Sequence, residues 1–166
     1  TIKLGVRTST ADTEGEVLET RPVGEISERQ VISVLENFCG QIEQIPPMHS
    51  AVKVNGTPLY KLAREGKEID RKPRRVTIYA IKLLRLEGDE LEIDLHCSKG
   101  TYVRTLAEDI GEVLGCGAHL GALRRTASGP FELEHAVTMA ELEHLAENGF
   151  AELDALLLPM EQALSD

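Results

Sequence analysis

In Cys97-Ser98-Lys99-Gly100-Thr101-Tyr102-Val103-Arg104-Thr105-Leu106 one periodicity gives way to another. Upstream, Leu91, Ile93 and Leu95 alternate with Glu92, Asp94 and His96, the two-residue period of a half-buried strand. Downstream, Val103, Leu106, Ile110, Val113 and Leu114 recur at helical spacing until Gly115 ends the run. Lys99 to Arg104 is therefore expected where a strand hands over to a helix N-terminus.

Free backbone N–H groups and the helix dipole favour negative charge at such a place, so a phosphate or carboxylate can dock there. Arg104, about one turn in, can add a two-pronged contact, and Tyr102 can offer a ring or a hydroxyl. A plainer reading makes Tyr102 a core residue with a solvated hydroxyl, Lys99 a turn residue and Arg104 the partner of Glu108 four positions on. Spacing alone leaves both open. A Walker-type phosphate loop is excluded, because Ser98-Lys99-Gly100-Thr101 lacks the upstream glycine and the Gly-Lys-Thr order.

Outward from this junction the pattern is α+β. A strand over Ile2 to Val6, the turn-rich Thr8 to Gly15 and a second strand over Glu16 to Thr20 precede a helix starting at Ser27, where Gln30 completes a capping box, and Gly40 closes it. Ile42 to Val54 reads as extended, broken at Pro46-Pro47, with a tight turn at Asn55-Gly56 and a short helix over Leu59 to Arg64. Val76 to Leu86 and Glu90 to His96 flank Glu87-Gly88-Asp89 as an antiparallel hairpin. Met139 to Glu147 and Ala151 to Leu158 read as helices, the second stopped by Pro159.

With 166 residues, 42% of them hydrophobic, the chain has enough material for a core and no run long enough to span a membrane. Cys39, Cys97 and Cys116 are an odd, widely spaced set, typical of reduced thiols in the cytoplasm. Zinc is disfavoured: there is no Cys-Xaa-Xaa-Cys, and Cys97 follows His96 on a strand, so their side chains diverge. Cys116 and His119 read as a core thiol and a loop histidine, and no serine sits in a nucleophile elbow. The net charge of −10 is unevenly spread. Ten of the eighteen basic residues lie between Lys53 and Arg85 against three acids, and none lies between Thr126 and Asp166. A basic segment on an acidic body suits an RNA footprint, or equally a solvated helix and turn.

Lys99-Gly100-Thr101-Tyr102-Val103-Arg104, followed by Asp109-Ile110-Gly111 and Leu123-Arg124-Arg125, resembles an active-site motif of the bacterial TruB family of tRNA pseudouridine synthases. Ser50-Ala51-Val52-Lys53-Val54-Asn55-Gly56 with Leu59-Tyr60, Ala63-Arg64 and Gly66 resembles a second block of that family, and Leu4-Gly5-Xaa-Arg7-Thr8 with Asp12 and Gly15 a third, in the family's order. The resemblance implies a mixed, mainly antiparallel sheet flanked by helices. It also implies conversion of the T-loop uridine, position 55 of tRNA, to pseudouridine without a cofactor. The target base would be flipped out, cut from its sugar by an aspartate, turned and rejoined through carbon 5.

By the same resemblance Tyr102 lies beside the flipped base, Arg104 pairs with the nucleophilic aspartate and Leu123 packs the pocket. Lys53, Tyr60, Lys61, Arg64, Arg74, Lys99 and Arg125 are the expected RNA contacts, with residues of about 50–75 as an RNA-gripping insertion. No metal, small-molecule cofactor, membrane or obligate protein partner is implied; the partner is the tRNA T-arm stem-loop. The family's nucleophile stands in a Gly-Xaa-Xaa-Asp-Pro segment, and no aspartate here precedes a proline. The sequence thus reads as an internal piece, inactive alone: residues 1–158 a partial catalytic domain and 159–166 the start of a linker toward a C-terminal RNA-binding domain. Arg104 is then expected to lack its aspartate and to draw in water, an anion or another carboxylate. A non-catalytic RNA stem-loop-binding module is the rival from another class. A guide-RNA-dependent relative is a second, against which the block from Ser50 to Arg75 argues.

Overall fold

The structure, a computed structural model, describes residues 1–48, 50, 53–54, 56–66, 69–147 and 149–163. In chain order the elements are β1 (Ile2–Leu4), β2 (Val6–Thr8), β3 (Val17–Thr20), α1 (Glu28–Asn37), β4 (Gly40–Gln44), β5 (Lys53–Val54), β6 (Thr57–Pro58), α2 (Leu59–Arg64), β7 (Arg74–Glu87), β8 (Glu90–Cys97), α3 (Val103–Leu114) and β9 (Ala118–Leu120). Then follow β10 (Ala127–Ser128), β11 (Phe131–Glu132), a 3-10 turn at Leu133–His135, α4 (Met139–Glu147), α5 (Phe150–Asp154) and α6 (Met160–Ala163). The chain packs as two compact units, Thr1–Leu123 and Arg124–Asp166.

The first unit is built on a five-stranded antiparallel sheet in the order β4-β7-β8-β1-β9. Its spine is the β7–β8 hairpin, closed where the sequence places it: Glu87 pairs with Glu90, and Gly88 takes φ 59° at the first of two turn residues. A type II′ turn demands a positive φ there, which glycine adopts without penalty. Register shifts between Ile78 and Ala80 and between Leu83 and Arg85 bend β7, as bulges do.

One sheet face carries Ile2, Leu4, Ile78, Leu91, Ala118 and Leu120 into a core completed by Val31 and Leu35 of α1 and Leu106, Ala107 and Ile110 of α3. Full burial of each large aliphatic side chain contributes about 1.5–3 kcal/mol. The helix reading holds in detail for α3, which ends at Gly115 in the left-handed region, φ 85°. The capping box of Ser27 and Gln30 is formed at α1.

Several boundaries differ from the sequence reading. The strand expected over Ile2 to Val6 is cut at Gly5, φ 84°: β1 joins the main sheet and β2 pairs with β3. The first helix stops at Asn37, and Gly40 opens β4 instead of closing the helix. The segment from Ala151 to Leu158 is helical only to Asp154, and Met160–Ala163 forms its own turn of helix. The strand β9 and the β10–β11 pair were not expected from the sequence. Asn55 of the expected tight turn lies outside the described residues; Gly56 has φ 83°.

Candidate functional site

The junction from β8 to α3 is held from several directions. Ser98 seals the end of the hairpin: its Oγ accepts from the Thr77 N–H at 2.9 Å, and its own N–H donates to the Thr77 carbonyl at 2.8 Å. Thr101 Oγ1 donates back to the Ser98 carbonyl at 2.8 Å, across a turn that passes through Gly100 at φ 84°. Nothing lies near Gly100, so glycine is needed there for its backbone conformation and not for room. Lys99 projects exposed from the apex. Tyr102 is the N-cap of α3, and its side chain makes no capping bond. It is half-buried, while Gln44 reaches from β4 to bond both polar groups of its backbone.

Arg104 does not stand without an aspartate, and it does not pair with Glu108. Its Nη1 lies 2.9 Å from Asp12 Oδ2 and donates at 3.4 Å to the carbonyl of Thr10. Another carboxylate, one of the partners the sequence offers Arg104 in place of the missing aspartate, thus stands beside it. Asp12 is fixed in turn: Oδ1 accepts from Thr10 Oγ1 at 2.5 Å and from the Glu14 N–H at 3.1 Å, and its carbonyl accepts from Thr8 Oγ1 at 2.6 Å. Burial alone would push the Asp12 carboxyl up, but Thr10, the Glu14 N–H and Arg104 together hold it below the usual range. Ala11 sits at φ 60°, an unusual conformation for a residue with a Cβ, and its carbonyl accepts from the Leu120 N–H at 2.9 Å. The loop carrying Asp12 is thereby pinned to β9.

The expected site residues fall at several places in the two units. Tyr102 and Arg104 are two residues apart at the start of α3. Leu123 follows three residues after Leu120, the bridge partner of Asp12, and is 62% exposed. Arg74 is exposed and stands opposite Gln44 in the β4–β7 register, which brings one end of the basic segment beside Tyr102. Arg71 Nη1 donates to the Pro46 carbonyl at 3.1 Å, tying that segment down. Lys61 is exposed on α2, and Arg125 is exposed in the second unit. The side chains of Lys53, Tyr60 and Arg64 lie outside the described residues. Sequence reasoning missed Gln44 and Thr10, and took Asp12 only as part of a motif. Of the residues weighed for zinc, His96 lies against Tyr79, ring centroids 4.8 Å apart, on the sheet face opposite half-buried Cys97. Cys116 is in the core, and His119 Nδ1 is 2.9 Å from the Val6 carbonyl oxygen.

A carboxylate cluster lies further along α3. Arg7 Nε is 3.3 Å from Glu112 and Arg21 Nη1 3.0 Å from the same residue, binding the β2–β3 hairpin to the helix. Burial pushes the Glu108 and Asp109 carboxyls above their usual range, and Glu112 adds to the effect at both. A carboxyl raised on folding costs nothing below its unfolded value and costs stability in full above its folded one. Asp109→Asn is therefore expected to raise the melting temperature near pH 8 and leave it unchanged near pH 3, below the usual aspartate range of about 3.9. Thermal melts of the two proteins at both pH values check this.

Three comparisons bear on this arrangement. A family model described as TruB family pseudouridylate synthase (N terminal domain) matches residues 1–103. A second, the tRNA pseudouridylate synthase B C-terminal domain, matches residues 104–165, a range the sequence reading treated mostly as catalytic domain. Among curated proteins, tRNA pseudouridine synthase B of Ectopseudomonas mendocina is 53% identical over 165 residues, 99% of this chain and 54% of that protein. Its counterpart in Nitrosococcus oceani is 54% identical over 164 residues, 99% of this chain and 53% of that protein. The chain thus spans about half the length of the curated relatives it matches. Among solved structures, a chain of a Cbf5-Nop10-Gar1 complex superposes with a TM-score of 0.68 at 29% identity, covering 98% of this chain and 41% of that one. A chain of an H/ACA RNP bound to a substrate RNA containing 2'-deoxyuridine gives 0.61 at 28% identity, over 86% and 38%. With matches of this extent over a mixed α+β unit whose paired arginine sits at a strand-to-helix junction, the chain belongs to the TruB family of pseudouridylate synthases.

Proposed function

We propose that the protein containing this chain isomerises the T-loop uridine of tRNA to pseudouridine in the cytoplasm. The observation that carries the reading is the half-buried Arg104, held by Asp12 at 2.9 Å at the helix start that also presents Tyr102. Isomerisation needs a carboxylate kept ionised and aimed at the sugar, and a guanidinium within the site does both. A guanidinium has five donors and can serve two carboxylates at once. Asp12 thus orients Arg104 for a nucleophilic aspartate of the Gly-Xaa-Xaa-Asp-Pro kind, which this chain does not contain. Tyr102 orients the flipped base. Leu123 closes against it, and Lys53, Tyr60, Lys61, Arg64, Arg74, Lys99 and Arg125 hold the T-arm. Residues of about 50–75 act as an RNA-gripping insertion within a catalytic domain that runs to residue 158. Among the described residues no helix is long and apolar enough to cross a membrane.

Fluorescence anisotropy with a labelled T-arm hairpin and a scrambled hairpin of equal length tests the substrate. The T-arm is expected to bind more tightly. If three phosphates are contacted, its affinity should fall about 40-fold between roughly 50 and 200 mM salt. Equal affinity for both hairpins would leave only a generic basic surface and sink the T-arm assignment. Release of tritium from carbon 5 of uridine in the T-arm tests the reaction, and the longest reading frame encoding this chain is the protein to use.

A further inference from the structure

Tyr102 occupies a position at which a tyrosine does little for its helix. An N-cap is ordinarily Ser, Thr, Asp or Asn, whose side chain caps the first free N–H groups; Tyr102 makes no such bond. Its backbone is served from elsewhere. Gln44, at the end of the edge strand β4, is 1% exposed, and its carboxamide lies alongside the Tyr102 peptide groups as a neighbouring strand would. The Tyr102 N–H donates to Gln44 Oε1 at 2.9 Å, and Gln44 Nε2 donates to the Tyr102 carbonyl at 3.2 Å. The same carbonyl accepts the first helical bond, from the Leu106 N–H at 3.0 Å. Partner chemistry fixes which way the amide faces, since an N–H must meet the oxygen and a carbonyl the NH2.

We infer that Gln44 is a positioning residue for Tyr102, a role that rests on the function proposed above. The two bonds fix the φ and ψ of Tyr102 and with them the origin and direction of its side chain, two residues from Arg104. They do so without using any atom of the ring or hydroxyl, which stay available to the base. No shorter or apolar residue can replace the clamp. Asn cannot reach both groups with the same backbone, Met fills the volume without a donor or acceptor, and a Glu carboxylate accepts from the N–H but sets its second oxygen against the carbonyl. Only the protonated Glu, with an O–H to donate, reproduces the pair.

That asymmetry supplies the test. In the longest reading frame encoding this chain, tritium release from T-arm RNA is measured for the wild type, Gln44→Met and Gln44→Glu, below the melting temperature of each. Gln44→Met is expected to lower kcat on the order of 10- to 100-fold with KM for RNA within about twofold, the scale of a misplaced reacting group. Gln44→Glu should acquire a pH limb that the wild type lacks, its activity rising as pH falls and the buried carboxyl takes up a proton. A folded Gln44→Met with wild-type kcat, or a Gln44→Glu whose pH profile matches the wild type, overturns the inference while leaving the proposed function standing. A wild type that releases no tritium overturns both. A residue that merely stabilised the fold would shift melting temperatures without adding the pH limb.

Discussion

Arg104→Ala is expected to reduce tritium release from T-arm RNA on the order of 10²- to 10³-fold, the usual loss when a preorganised charge is taken from a reaction centre. The side chain is 28% exposed and bonded through one nitrogen to both Asp12 and the Thr10 carbonyl, so its position is set before substrate arrives. Arg104→Lys should be nearly as damaging: the charge survives, but a single ammonium cannot replace a planar fork. Removing the guanidinium also takes from Asp12 one of the donors that hold its carboxyl low, leaving Thr10 and Glu14. The fold should lose about 1 kcal/mol, small enough for activity to be compared between folded proteins. Activity of Arg104→Ala within tenfold of the wild type would remove Arg104 from the mechanism.

Gly111→Ala is the substitution that should do most damage to the fold. Gly111 is in the middle of α3 with an ordinary helical φ, where alanine is intrinsically preferred by about 1 kcal/mol. Packing reverses that preference. A Cβ at this position would stand 2.4 Å from both the Cβ and the backbone nitrogen of Ala118, and 2.5 Å from the carbonyl carbon of Gly117. Backbone atoms cannot swing away, so helix and strand must part. With them goes the 2.9 Å bond from the Gly117 N–H to the Gly111 carbonyl. A loss of about 3 kcal/mol or more is expected, and a fall in melting temperature of roughly 10 °C. Because β9 also pins the loop of Asp12 through Leu120, residual activity should fall further than the unfolded fraction alone explains. An unchanged melting temperature would mean that the helix and strand can separate cheaply.

The local features that were legible in the sequence are ones whose determinants are near neighbours. The stop of α3 at Gly115, the Ser27–Gln30 capping box and the turn at Gly88 each depend on residues within one turn of one another. β9 escaped because all three of its residues are buried, which erases the alternation by which a strand is recognised. The partners of the site escaped for a different reason. Arg104 and Asp12 are 92 residues apart and Gln44 and Tyr102 58 apart, whereas a search from sequence for helix partners looks three or four positions away. Gln44 in particular reads as one more polar residue in an extended stretch; only its depth in the fold marks it. The motif block at Leu4 to Gly15 did contain Asp12, and the resemblance, not the spacing, was the signal that could have led to it.

The place of β1 in the sheet sets a timetable for synthesis. Ile2 pairs with Leu91 on one side and Leu120 on the other, so β1 is a central strand whose two neighbours are made long after it. At the usual 5–20 residues per second, a ribosome needs roughly 6–23 s to travel from Leu4 to Leu120. Until Leu91 is made the two apolar residues Ile2 and Leu4 have no strand to pair with, and until Leu120 is made the loop of Asp12 lacks its tie to β9. The bond from Leu120 to Ala11, beside Asp12, therefore forms only after the ninth strand has cleared the exit tunnel, and a pause in translation before that point would delay it.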